Sequence, residues 1–264
     1  MLCAAGLSAQ VTRTIIKSDR FDFGAGGTVA VTGAPQGSIH IIGSKTNEIE
    51  ITAQIELHAP TESDLSKLAE VTGFVLDETV SKVTILSIGT HAKELLKKSK
   101  KKIPKNLMGL PFRIDYTISV PRYCDLEIDG GVGDLTVENI DGSMFINFIE
   151  TKAVLTFAMG SASVTVQKGT VDATFGRGPW RGRNANIQLG AGDVVAHVPS
   201  TLSADLDVIV LRTGKIVNSL LGLKARDRHV PITDKNIIAK AGAGGPPIKL
   251  GVGDGTIKID VLSH

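Results

Sequence analysis

From Asp22 onward, apolar and polar residues alternate one for one over short runs, at 27–31, 37–42 and 48–56. A period of two sends successive side chains to opposite faces, so each run predicts a half-buried strand. The same pattern predicts strands at 74–76, 82–87, 112–120, 184–189, 193–198, 204–211, 215–217, 235–239 and 256–261. The run at 112–120 stops at Pro121, whose missing N–H predicts an edge strand. Residues 61–70 break the alternation: Leu65, Leu68 and Ala69 fall at helical spacing behind Thr61 and predict one short helix.

Regularity is greatest after residue 125. Strand starts fall near Asp134, Ser143, Lys152, Ser161 and Thr170, about nine residues apart, and Gly142, Gly160 and Gly169 stand just before three of them, where a turn needs φ > 0. Two strands per coil give rungs of roughly 18 to 20 residues. A Gly-x-Gly-Asp phrase occurs at 131–134, 190–193 and 251–254, spaced 59 and 61 residues apart, which predicts three rungs between copies. The expected fold is therefore all-β: a parallel β-helix or β-roll-like solenoid with short strands, Gly-rich turns, at most one or two short helices and aliphatic ladders inside. An abundance of Gly (29 residues) with only 4% aromatics suits such ladders and tight corners.

The chain divides into 1–9 and a single domain over 10–264. Residues 1–9 are small and apolar and end Leu7-Ser8-Ala9 before Gln10, close to the small-x-small pattern of a signal-peptidase site. They read as the remnant of an export signal lacking its basic front end, which places the protein outside the cytoplasm: periplasmic, at the cell surface or secreted. A frayed terminus is the plainer alternative. Cys3 and Cys124 are too few for a disulfide scaffold or a zinc site, and no apolar run reaches the length of a membrane-spanning helix.

A net charge of +2 conceals a cluster, because 93–105 holds seven Lys and one Glu. Glycines and Pro111 flank it, marking 89–111 as a Lys-rich loop inserted between two strands. The basic excess sits in one place without interleaved aromatics, which speaks against nucleic-acid binding. Lys97, Lys98, Lys100, Lys101 and Lys102 are candidates for weak contact with an anionic membrane or polyanion; a solvated loop is the alternative. Arg177, Trp180 and Arg181 combine the single Trp with Arg, a composition favoured at recognition surfaces, although Trp180 also suits a plug at the end of a rung.

Stacked Asp134, Asp193 and Asp254 would suit acid–base work on a polysaccharide. Asp after Gly is also a common turn residue, and the phrase recurs because the turn recurs. The histidines are scattered without ligand spacing, Gly43-Ser44-Lys45-Thr46 lacks the upstream Gly of a phosphate loop, and no Gly-x-Ser-x-Gly elbow occurs. The sequence thus names no catalytic residue, metal or cofactor.

Several phrases, in order, resemble the bacterial putative adhesin family built on the β-solenoid domain nicknamed the toast rack. They are Phe21-Asp22-Phe23 with 26–31, Gly37-Ser38-Ile39, the 116–121 strand, 133–137, 192–199 and 253–259. The resemblance implies a right-handed solenoid or roll and an exported or envelope location, and carries over no catalytic residue. The Lys-rich loop departs from the family pattern. The expected function is a non-enzymatic structural or adhesion-like module of the cell envelope with an unknown envelope or surface partner. The alternatives are a carbohydrate-active β-helix enzyme and a cytoplasmic scaffold that polymerises end to end.

Overall fold

The computed structural model describes residues 10–24, 26–92, 104–176 and 180–262. The chain is all-β. Its strands are β1 (Val11–Asp22), β2 (Thr28–Thr32), β3 (Ile39–Ser44), β4 (Glu48–Ala59), β5 (Gly73–Glu78), β6 (Lys82–Ile88), β7 (Phe112–Pro121), β8 (Asp125–Val132) and β9 (Leu135–Glu138). They continue with β10 (Met144–Thr156), β11 (Ser161–Thr174), β12 (Asn184–Val198), β13 (Ala204–Val210), β14 (Gly214–Asn218), β15 (Lys224–Ala225), β16 (Asn236–Ala241) and β17 (Pro247–Val261).

Eight parallel rungs form the body. Each has two arms that meet at a corner, and their spatial order is β6/β7, β2/β3, β8/β9, β10, β11, β12, β17 and β13/β14. This order is not chain order. β2 and β3 enter between later strands, and the C-terminal β17 enters between β12 and the β13/β14 pair. Successive rungs of the middle match the expected period: Met144 pairs with Leu126 and with Ala162, eighteen residues away on either side. The next step, Ala162 to Ala185, takes twenty-three residues and includes the excursion that carries Trp180.

Inward side chains line up across the rungs. Ile85, Val31, Ile128, Ile146, Val164, Ile187, Leu250 and Val208 form one buried row on the first arm. On the second arm, Ile118, Ile41, Val137, Leu155, Ala173, Ala196 and Ile259 form another. Burying each Val, Ile or Leu contributes about 1.5–3 kcal/mol, so these rows hold the stack together.

Three expectations need correction. The strands are not uniformly short: β10, β11, β12 and β17 run 13, 14, 15 and 15 residues straight through the corner; the first three join pairs of predicted strands, and β17 extends the one predicted at 256–261 back to Pro247. β7 is not an edge, because it pairs with β3 on one side and antiparallel with β4 on the other. Pro121 is its last residue, so the missing N–H ends the ladder without leaving a side of the strand unpaired. Gly142 has no positive φ; it is required because a Cβ there would lie 1.9 Å from the Cys124 carbonyl oxygen.

Antiparallel strands cover the ends of the stack. β5 lies on β6, β4 and then β1 lie beyond β7, and β16 lies on β13. The helix α1 (Glu62–Val71) follows the prediction and packs Leu65, Leu68 and Val71 onto β4 and β1. Thr61 caps it, its Oγ1 accepting from the Asp64 N–H at 3.1 Å. Between β6 and β7, Leu107 is buried and Thr90 Oγ1 donates to the Leu110 carbonyl at 3.0 Å, which ties down the base of the Lys-rich insertion.

Candidate interaction surface

The corner determines the outer surface. At this position of seven of the eight rungs stand Gly37, Gly133, Thr151, Gly169, Gly192, Gly255 and Gly214, the glycines all with φ between +112° and +155°. A Cβ at Gly192 would sit 1.8 Å from the Gly169 carbonyl oxygen, and one at Gly255 1.8 Å from that of Gly192. At the six glycine positions the absence of a Cβ lets the backbones close up while the chain turns at positive φ; Thr151 is the one side chain in this row. The missing side chains leave an open groove of about 390 Å³ along the stack, floored by Gly133, Gly169 and Gly192. Asp134, Glu150, Lys152 and Lys168 rim it, and Lys168 Nζ pairs with Glu150 at 3.2 Å. Ile149 and Val154 are exposed on β10 beside it.

The repeated aspartates do not converge. Asp134 and Asp193 share one row but stand three rungs apart, about 14 Å at ~4.8 Å per strand. Asp254 occupies a different row, paired with Ala191. The first interval thus spans three rungs, while the second, although longer in sequence, joins neighbouring rungs. Asp193 Oδ1 accepts from the Thr256 N–H at 2.7 Å, a cross-rung turn contact. Asp254 accepts from Arg212 Nη2 at 2.6 Å and Thr213 Oγ1 at 2.8 Å, and these bonds hold its carboxyl well below the ordinary carboxylate range. A carboxylate so held stays ionised at neutral pH and is poorly suited to donate a proton.

Lys97, Lys98, Lys100, Lys101, Lys102 and Arg177 lie outside the described residues. Trp180 is buried, its ring edge-on to Phe175 at 5.4 Å, and Phe175 lies 5.5 Å from Phe157. The indole covers Gly182, where a Cβ would meet the ring at 2.2 Å. Trp180 therefore closes the side of a rung, and only Arg181 of this pair is exposed. The repeated phrase marks Gly133 and Gly192 and the strand spacing marks Gly169 as turn residues, but neither reveals the groove they floor, which is made of absent side chains.

Cys124 is buried and has no disulfide partner among the described residues, and burial pushes its thiol up to about 12. Among the described residues, no group of three His, Cys, Asp or Glu side chains could hold a metal ion, and no helix is long and apolar enough to cross a membrane.

No family model matches the chain, and no curated protein matches it in sequence. Solved structures similar to this chain include a "putative cell adhesion protein" from Clostridium sporogenes, at 15% identity and a TM-score of 0.49, covering 94% of this chain and 100% of that one. A "putative adhesin" from Bacteroides fragilis is similar at 13% identity and a TM-score of 0.37, covering 94% and 97%. A "putative lipid binding protein" from Parabacteroides distasonis is similar at 10% identity and a TM-score of 0.32, with the same coverage.

Proposed function

We propose that the protein is a non-enzymatic, adhesion-like interaction module, exported to the bacterial envelope, with its rungs coiled in the right-handed sense. One observation carries this reading: parallel rungs in register hold outward side chains in straight rows on a stiff body, with Phe145, Ile149 and Val154 exposed on the middle rung. Such a face binds by shape and needs no reactive group. The separation of Asp134 from Asp193 and the engagement of Asp254 with Arg212 weigh against shared acid–base work. Export rests on the small, apolar character of residues 1–9.

Co-sedimentation with purified peptidoglycan sacculi and with intact cells tests the module. The expected result is saturable binding that Ile149→Glu with Val154→Glu weakens at least tenfold while the melting temperature is kept. Equal binding by that variant removes the face from the argument. Release of reducing ends from an envelope polysaccharide, lost when Asp134, Asp193 and Asp254 become Asn, would establish the enzyme instead. Recovery of the native protein only in the cytosolic fraction would overturn export.

A further inference from the structure

The last rung differs from the rest of the molecule in both charge and packing. Residues 211–240 carry seven Lys and Arg against two Asp, a net +5 in a chain whose total is +2. Arg212 is paired with Asp254 and Arg226 with Asp207. Lys215, Lys224, Arg228 and Lys240 are exposed and have no carboxylate partner among the described residues. The same segment exposes large aliphatic side chains: Leu221 at 90%, Leu211 at 64%, Ile232 at 41% and Val217 at 37%.

Backbone contacts gather these residues at one end of the stack. Among the described residues β14 pairs only with β17, and on its outer side the Ile216 N–H donates to the Asp234 carbonyl at 2.6 Å. Lys235 Nζ donates to the Arg212 carbonyl, and β15 pairs with β16, so 219–235 wraps across the end of the rung. Such a surface is costly in water and serves no fold contact that the structure shows.

We propose that this terminal face docks on an anionic lipid bilayer. Free cations draw it to the headgroups, and the exposed Leu and Ile side chains enter the interface below them. Aliphatic tips distinguish this ligand from a soluble polyanion, which would satisfy the cations and leave Leu221 and Leu211 in water. The face is separate from the outer rows of the middle rungs, so the inference stands independently of the adhesion reading. It also lies on a different segment from the Lys-rich insertion.

The test is sedimentation of the full chain with phosphatidylcholine vesicles, with and without phosphatidylglycerol, at low and high salt. Binding is expected only to the anionic vesicles and is expected to fade with salt. Changing Lys215, Lys224, Arg228 and Lys240 to Ser should weaken it about fivefold per charge. Leu221→Glu should weaken it further while sacculus binding and melting temperature are kept. The proposal fails if the four-Ser variant binds vesicles as the wild type does, or if only replacement of the 93–105 lysines abolishes binding. It also fails if polyphosphate competes fully and Leu221→Glu has no effect, which would identify a polyanion site.

Discussion

Individual residues reveal where the stack tolerates no change. Gly192 combines φ +125° with a neighbouring carbonyl oxygen 1.8 Å from where its Cβ would be, whereas Gly109, at φ +83°, has open space around it. Gly192→Val should therefore cost at least about 3 kcal/mol, and Gly109→Ala only about 1 kcal/mol of left-handed strain. Urea denaturation of the two variants checks this, and equal losses would remove the corner from its place in the fold. Buried ionisable groups make a second prediction. Burial raises the Cys124 thiol from 9.0 to about 12 and the Tyr116 hydroxyl from 10.0 to about 12, the latter against a 2.7 Å hydrogen bond with Ser87. An unfolded chain loses these protons first, so the stability the two groups confer is complete below about pH 9 and drains away as pH climbs to 12. Stability measured across that range should fall, and Cys124→Ala should flatten the part of the slope that begins near pH 9.

At the scale of elements, local signals translate well. The short helix expected from Leu65, Leu68 and Ala69 forms as α1 with Thr61 as its cap, and Thr61→Ala should cost about 1 kcal/mol by thermal denaturation. Val137 lies fully buried between Ile41 and Leu155, so Val137→Asp would bury a charge without a partner and should abolish the cooperative transition. A near-wild-type melt would contradict the inward rows. Alternation, the helix and the eighteen-residue rung were legible because each depends on neighbours in sequence. Rung order was not, since a parallel ladder is held by backbone hydrogen bonds common to every strand and by rows in which Ile, Val and Leu interchange. Nothing in 256–261 distinguishes a strand that lies on β12 from one that lies beyond β14. The corner was half legible: Gly133 and Gly192 stand inside the repeated phrase, but the third corner is Gly255, one residue past it.

The threading of the whole molecule has a consequence that a sequential solenoid would not share. In a stack built in chain order, removing the final strand deletes one terminal rung and one interface. Here β17 is hydrogen-bonded to β12 on one side and to β13 and β14 on the other, so the C-terminal strand holds an interior place between rungs that precede it by about sixty and about forty residues. Ending the chain at Pro246 would separate β13 and β14 from the body and uncover the aliphatic row at Ile187 and Val194. That exposes a long parallel edge of the kind that pairs with other chains. Deleting 10–22 instead removes β1, which among the described residues pairs only with β4, at the periphery. The C-terminal truncation should therefore lose cooperative unfolding and form aggregates that grow with concentration in sedimentation velocity runs. The N-terminal deletion should remain soluble with a lowered melting temperature. The intact chain, whose outer arms β7, β6 and β13 are covered by β4, β5 and β16, should sediment without filaments at every concentration. Filaments of the intact chain would mean that these antiparallel strands do not close the stack, and would return the end-to-end scaffold to consideration.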